Sequence, residues 1–293
     1  MKFSFCFITF LALLFLNVQS YAQGELSTLR GLYLGQTPPD STPEVFAKGY
    51  VSTVHHDTSI SFTANLKELY LSRYNSDTGK WKLIRFKLEN KQWKESIIGP
   101  RVGRPILSPD GNTMHLGNKY MTRTVQGWSE VKSLGSMFEQ DNWGIMRLSS
   151  SADGTYIFDD YKSNDVLRIS TIENGQRQSP KLLGPHINSG KWTAHPFIAQ
   201  DGSYIIWDSE KVSGYGDKDL YISFRQTNGD WSKAFNLGET INTKQVEAGA
   251  YVSPDGKYLF FNRVPLQASD GSEPKGDIYW VDAEIITKLR PML

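Results

Sequence analysis

Short runs of alternating apolar and polar residues recur along this chain, and a turn signal separates the members of each pair of runs. In "YVSPDGKYLFFNR", which begins at residue 251, an apolar run is followed by Asp-Gly and then by a second apolar run. Asp-Gly suits a tight turn, because glycine accepts positive φ and aspartate bonds to its own backbone. Related phrases begin at residues 61, 106, 149 and 197, and the first carries Asn65-Leu66 instead of Asp-Gly. The pattern predicts five β-hairpins and no long amphipathic helix.

Further strand patterns follow these hairpins. The fourth hairpin is followed by "DLYISFRQ" from residue 219 and by "NGDWSKAFNLG" from residue 228, whose tryptophan recurs as Trp93 and Trp128 and is replaced by Arg177 in the third unit. The repeating unit is thus four short strands in about 45 residues, the size of a propeller blade. We predict an all-β fold, a β-propeller of five four-stranded blades. Six blades are the alternative, if residues 24–50 supply more than one strand.

The two ends of the repeat complement each other. The fifth unit ends with "DIYWVDAEIITKLRP" from residue 277 and shows no fourth-strand pattern. Residues 44–53, "EVFAKGYVST", resemble the fourth-strand phrase at 233–243. We therefore expect the N-terminal strand to complete the last blade and close the ring, which leaves no long free sheet edge.

The repeat phrases resemble those of a known family. "SPDGKYLFF" with "DIYW", and "DGSYIIWDS" with "DLYISFR", resemble the WD-repeat-like propeller repeats of TolB-like exported proteins. The resemblance covers roughly residues 43–285 and implies a propeller binding scaffold. Similar repeats occur in the propeller domains of prolyl-oligopeptidase-like enzymes and in oligogalacturonate lyases, so the resemblance implies no single activity.

The N-terminus predicts export. Lys2 is followed by an apolar run at 3–16 and by the small-x-small exit Ser20-Tyr21-Ala22, the layout of a secretory signal peptide. We predict a signal peptide at 1–22, a polar lead segment at 23–42 and a single propeller domain at 43–293. After cleavage we expect a periplasmic or secreted monomer without membrane insertion. An uncleaved N-terminal anchor is the alternative, although the apolar run is short for a membrane span.

Charge and cysteine content restrict the partners. Removing Lys2 from the 32 basic residues leaves 31, equal to the 31 acidic residues, and a balanced surface gives no reason to expect nucleic acid or an anionic membrane. The one cysteine, Cys6, lies within the predicted signal peptide. We therefore expect neither disulfides nor thiol chemistry in the exported chain.

No common catalytic or cofactor motif accompanies the repeats. G-x-S-x-G, H-E-x-x-H, paired C-x-x-C, a P-loop and a dinucleotide fingerprint are all absent, so we expect no cofactor and no metal. The loop "GYGDKDLYISFR" at 214–225 has the oxygen-rich character of a calcium loop. Asp219, however, recurs as Asp165 and Asp277 in the repeat, which favours a role in capping the turn before the third strand.

Candidate binding residues come from aligning the starts of the innermost strands, which meet at the axis of a propeller. Arg104, Arg147 and His195 occupy one repeat position, and Asp57 and Glu247 stand two positions earlier in their own repeats. Two arginines and a histidine suit an anion, such as a uronate carboxylate or a protein C-terminus. The alternative is that they pair with Asp57 and Glu247 around a polar channel.

Trp143, which precedes the third hairpin off the repeat pattern, is a further candidate, as an aromatic platform for a sugar or as part of the core. Together these features favour an exported, non-catalytic binding protein that recognises a protein or a glycan at the channel mouth. The alternative is a carbohydrate-active enzyme, a polysaccharide lyase or glycoside hydrolase, with its site at the axis. A glycosidase requires two carboxylates that face the scissile bond, and only Asp57 and Glu247 qualify by position.

Overall fold

The structure is a computed structural model that describes residues 29–267 and 274–291. The predicted signal peptide and the start of the lead segment lie outside the described residues. Within the described ranges, no helix is long and apolar enough to cross a membrane.

The described residues are almost entirely strands joined by turns. The helices are a 3-10 helix (Leu32–Gly35) and α1 (Glu284–Leu289). The strands are β1 (Glu44–Val45), β2 (His56–Phe62), β3 (Glu68–Asn75), β4 (Lys80–Glu89), β5 (Gln92–Pro100), β6 (Pro105–Leu107), β7 (Thr113–Leu116), β8 (Lys119–Thr124), β9 (Gly127–Trp128), β10 (Lys132–Ser133), β11 (Leu148–Ser150), β12 (Tyr156–Asp160), β13 (Val166–Ser170), β14 (Ile172–Glu173), β15 (Gln176–Arg177), β16 (Lys181–Leu182), β17 (Lys191–Ile198), β18 (Tyr204–Glu210), β19 (Asp219–Phe224), β20 (Phe235–Asn236), β21 (Val246–Val252), β22 (Tyr258–Val264) and β23 (Asp277–Asp282).

Five antiparallel sheets form the blades. Blade 1 contains β2 to β5; blade 2 contains β6, β7, β8 and β10, with β9 paired to β8. Blade 3 contains β11, β12, β13 and β16, with the hairpin β14–β15 beside it. Blade 4 contains β17 to β20, and blade 5 contains β21, β22, β23 and β1. This arrangement confirms the prediction of a five-bladed all-β propeller.

The N-terminal strand closes the ring, as the repeat predicts. β1 pairs antiparallel with β23, with Glu44 opposite Trp280, so blade 5 is built from both ends of the repeat. Phe46, directly after β1, is fully buried. Its ring packs edge-on against Phe260 and Trp280, at centroid distances of 5.1 and 5.0 Å. Closure therefore depends on apolar packing as well as on the strand ladder.

Part of the lead segment also enters the core, which its polar composition did not suggest. Tyr33 and Leu34, in the 3-10 helix, are both buried. The Tyr33 hydroxyl donates to the Asp255 carboxylate at 2.6 Å. This bond ties the segment to the Asp-Gly turn of blade 5, on the face opposite the starts of the innermost strands.

Candidate functional site

The innermost strands β2, β6, β11, β17 and β21 contact one another around the axis. We call the end at which these strands begin the channel mouth.

In three of the innermost strands the register of the ladder shifts at the same repeat position. At this position Ser59, His195 and Gly249 have φ of 62°, 49° and 67°. Such bulges re-aim side chains and often lie beside functional sites. Positive φ at a residue other than glycine costs about 1–3 kcal/mol, so the surrounding contacts must hold it.

Arg147 lies inside the channel and links three blades by hydrogen bonds. It is fully buried, and its guanidinium donates to the His195 carbonyl at 3.3 Å and to the Ala250 carbonyl at 2.9 Å. Its Nε has no hydrogen-bond partner among the described residues. Burial, and then the nearby charge of Arg104, lower the pKa of Arg147 to about 10. Arg147 therefore joins blade 3 to blades 4 and 5 through main-chain carbonyls.

His195 is held by a carboxylate that the sequence alignment did not single out. His195 Nδ1 lies 2.9 Å from Asp208 Oδ1, and Nε2 is buried without a partner in the described part of the chain. Asp208 also accepts the Gly249 N–H at 3.0 Å and lies 3.4 Å from Lys218 Nζ. Burial, and then the charge of Arg104, lower the pKa of His195, so the neutral ring donates from Nδ1 to Asp208.

Two of the described carboxylates lie near the axis, and both accept hydrogen bonds from groups of the fold itself. Asp208 and Asp159 are fully buried. Asp159 accepts the backbone N–H groups of Met146, Arg147 and His195 at 2.8 to 3.0 Å. Although burial opposes it, the adjacent His195 ring, the charge of Lys218 and the N–H donated by Gly249 hold the pKa of Asp208 well below its usual range. Both carboxylates therefore already accept several hydrogen bonds from within the fold.

Arg104 and Arg101 differ from His195, because neither arginine has a carboxylate within ion-pair distance among the described residues. Half-buried Arg104 donates to the Thr58 and Ser59 hydroxyls at 3.0 and 3.1 Å. The Arg101 guanidinium lies over the Trp81 ring at 4.0 Å, and its Nη1 has no partner in the described ranges. Burial, and then the charge of Arg104, lower the pKa of Arg101 to about 10. Burial also lowers the pKa of Arg104, and the more distant carboxylates of Asp208 and Asp159 oppose this. The channel mouth therefore contains two adjacent cations, neither of which forms an ion pair with a described carboxylate.

Asp57 and Glu247 are directed to partners within their own blades. The Glu247 carboxylate accepts from Arg263 Nε at 2.7 Å and from the Thr243 hydroxyl at 2.7 Å. Asp57 forms the same arrangement with Arg73 and Thr53. The structure thus does not bring these two acids together with Arg104, Arg147 and His195, and the pairing that was expected as an alternative around the channel is not present. The equal spacing, an arginine 16 residues after each acid, is a repeat signal that sequence reasoning missed.

Trp143 packs at the mouth side of blade 3 rather than at the axis. Its ring lies 5.9 Å from Phe158, and the Arg168 guanidinium covers one face at 4.3 Å. Other aromatic side chains on the mouth side are more exposed: Tyr161 by 46%, Trp192 by 55% and Tyr215 by 47%. Tyr161 follows the end of β12 and Tyr215 lies in a loop. Trp192 lies at the start of β17, outside the two repeat positions that were aligned.

The Asp219 loop is a turn whose cap the sequence predicted. Asp219 is buried, and its carboxylate accepts the N–H groups of Tyr215 and Gly216 at 2.7 and 3.2 Å. The Asn236 amide donates to it at 2.7 Å. These bonds confirm that Asp219 caps the turn before the third strand of blade 4.

Neither the protein-family models nor the curated proteins contain a match to this chain. Solved structures do resemble it. The catalytic domain of the Coprinopsis cinerea GH62 alpha-L-arabinofuranosidase superposes with a TM-score of 0.56 at 10% identity, over 83% of this chain and 97% of that one. A GH62 hydrolase in complex with xylotriose gives 0.51 at 9% identity, over 83% and 94%. TolB from Acinetobacter baumannii gives 0.47 at 16% identity, over 78% and 57%.

The chain is a five-bladed propeller. At these identities the likeness shows the fold alone, because unrelated functions share the same scaffold. Any statement about function therefore depends on the side chains of this chain.

Proposed function

We propose that this protein is an exported, non-catalytic binding protein that holds an acidic glycan at the channel mouth. The observation that carries the proposal is the pair Arg101 and Arg104, two neighbouring, partly buried guanidinium groups without a carboxylate partner in the described ranges. Partly buried cations are costly unless a counter-charge is supplied. The planar fork of arginine matches a carboxylate, and two arginines suit a chain of uronate residues.

The surroundings favour a glycan over a protein as the ligand. Tyr161, Trp192 and Tyr215 are exposed on the mouth side and belong to blades 3 and 4. Aromatic rings presented singly offer separate apolar platforms, whereas a protein interface is centred on a continuous buried patch. A small number of placed polar groups beside aromatic surface is typical of small-molecule sites.

The state of the axial carboxylates supports binding without turnover. Asp159 and Asp208 are buried and occupied by N–H donors and by His195, and Asp57 and Glu247 are occupied by arginines. A glycosidase requires one carboxyl group to donate a proton and another to act as base or nucleophile. The carbohydrate-active alternative, which the shared fold with GH62 enzymes keeps open, would need such groups to be freed.

The test is isothermal titration calorimetry of oligogalacturonate against the purified exported chain. The matched ligand is the methyl-esterified oligomer, which has the same rings without the charge. We expect the acidic oligomer to bind, salt to weaken it, and Arg104→Gln to weaken it about tenfold or more, since a hydrogen bond to a charged group contributes roughly 1.5–3 kcal/mol. Arg225→Gln, which changes an exposed arginine after β19 at the opposite end, is the control and should bind normally.

Equal affinity for the acid and its ester, or for Arg104→Gln and the unchanged protein, would overturn the proposal. The same samples are assayed for new reducing ends and for unsaturated uronates. Either product would establish the carbohydrate-active alternative instead. Gel filtration of the same preparation tests the expected monomer.

A further inference from the structure

One departure from the repeat leaves a space on the opposite face of the propeller. Trp128 of blade 2 packs back against blade 1, where its indole N–H donates to the Tyr70 hydroxyl at 3.1 Å. Trp231 of blade 4 likewise packs against the apolar cluster shared with blade 3. In blade 3 the residue at this repeat position is Arg177, and it faces blade 2. An opening lies between these two blades, and Arg177 forms part of its wall.

This opening, the blade 2–3 cleft, has a volume of about 350 Å³. Its walls combine apolar, aromatic and polar side chains. They include Asp110, His115, Ser150, Tyr156, Ile172 and Arg177. The cleft is separate from the channel mouth, because it lies beside the Asp-Gly turns at the other end of the strands.

His115 supplies a buried polar atom without a partner. It is 1% exposed; its Nε2 lies 3.1 Å from Ser150 Oγ, and its Nδ1 has no partner in the described part of the chain. The 3.1 Å contact fits either tautomer of the ring; when Ser150 donates to Nε2, the ring proton resides on Nδ1. Burial and then Arg177 lower the pKa of His115 to about 4, which keeps the ring neutral. An unpaired buried N–H donor costs about 1–3 kcal/mol unless a ligand or water accepts from it.

Arg177 supplies the second donor. Its guanidinium stacks on the Tyr156 ring at 3.6 Å, and Nη1 donates to the carbonyls of Gly154 and Ser170 at 2.6 and 3.0 Å. No carboxylate lies within ion-pair distance of Arg177 among the described residues. Asp110 on the rim is occupied by Ser108 and Asn112. The free edge of the guanidinium therefore keeps its charge for a ligand.

We propose that the blade 2–3 cleft is a second binding site, which takes a small organic carboxylate. The carboxylate accepts from Arg177 and from His115 Nδ1–H, and the organic part lies against Tyr156 and Ile172. This inference is independent of the acidic-glycan proposal, since it uses residues of the opposite face. The repeat also provides a variant to test it, because Arg177→Trp introduces the residue that blades 1, 2 and 4 carry at this position and replaces the charge by a bulky apolar ring.

The experiment is saturation-transfer NMR with benzoate and galacturonate, with benzyl alcohol and galactose as their uncharged counterparts. It is run on the Arg104→Gln chain, so that the channel mouth contributes less. We expect transfer to the carboxylates and a shift of the His115 Nδ1 resonance in ¹⁵N-labelled protein. Arg177→Trp should abolish both signals, and Arg177→Gln should weaken binding at least about tenfold.

Unchanged carboxylate signals in folded Arg177→Trp or Arg177→Gln would overturn the proposal, as would equal transfer to the uncharged probes. Far-ultraviolet circular dichroism confirms the fold of each variant. If Arg177→Trp fails to fold, Arg177→Gln decides the outcome, since it removes the charge without adding bulk.

Discussion

The free energy of unfolding of this protein is expected to fall in acid, and part of that fall is due to His115. Replacing His115 by glutamine should abolish that part. His115 lies on β7, and its ring packs against Tyr156 at a centroid distance of 5.2 Å. Burial, with a further contribution from Arg177, lowers its pKa to about 4 from 6.5. The folded state therefore keeps the ring neutral at a pH where the unfolded chain binds a proton.

The direction and the size of this pH dependence follow from the difference between the folded and the unfolded pKa of His115. Because the folded pKa is depressed, the contribution is fully present above pH 6.5 and is lost as the pH falls towards 4. Each unit of pKa difference corresponds to about 1.4 kcal/mol, so the contribution is roughly 3 kcal/mol in all, and most of it is lost by about pH 4.5. This is a large share of the stability of an ordinary domain.

The measurement is urea unfolding, followed by tryptophan fluorescence at about pH 7.5 and about pH 4.5. Wild type is compared with His115→Gln, and with His186→Gln as a control at an exposed position. The pKa values of His56 and His195 are also lowered, but both groups are present in every protein, so differences between proteins isolate His115. The gap in unfolding free energy between wild type and His115→Gln should shrink by about 2–3 kcal/mol at the lower pH. An unchanged gap would refute the reasoning, as would an equal change with His186→Gln.

The ion pair of Arg263 with Glu247 and the buried ring of Phe46 give two further predictions about stability. Arg263→Met leaves Glu247 buried without its ion pair and should lower the unfolding free energy by about 3–5 kcal/mol; a loss below about 1 kcal/mol in urea unfolding would contradict the role assigned to the pair. Phe46→Ala removes a fully buried ring at the point of closure and should cost about 3–5 kcal/mol. If native-state hydrogen exchange in β23 is no faster in this variant, packing at Phe46 does not hold the closing strand.

Much of the fold was predictable because its signals are local. Asp-Gly turns and alternating runs specify hairpins within a few residues, and a repeat of four strands leaves few architectures open. Ring closure needed one non-local step, the likeness of residues 44–53 to the fourth strands elsewhere. Tyr33 and Leu34 were missed because two apolar residues in a polar segment carry no periodicity that indicates burial.

The site was predictable only in part. The repeat placed Arg104, Arg147 and His195 at the axis. It did not identify Asp159 and Asp208, which bind the main chain of Arg147 and the side chain of His195 and lie on second strands. Which face such a residue presents depends on register and on bulges, and a shift of one residue reverses it.

The sequence by itself determined the hairpins, their number and the residue type at each repeat position, because those depend on neighbours along the chain. The tertiary structure alone decided which cations keep a partner. Arg73 and Arg263 meet acids on the adjacent strand of their own blade, whereas Arg101, Arg104 and Arg177 have no described carboxylate within ion-pair distance. Pairing depends on distances between strands that are far apart in the chain. Both binding proposals rest on arginines that are left without a carboxylate partner. Which arginines these are is therefore a property of the assembled ring.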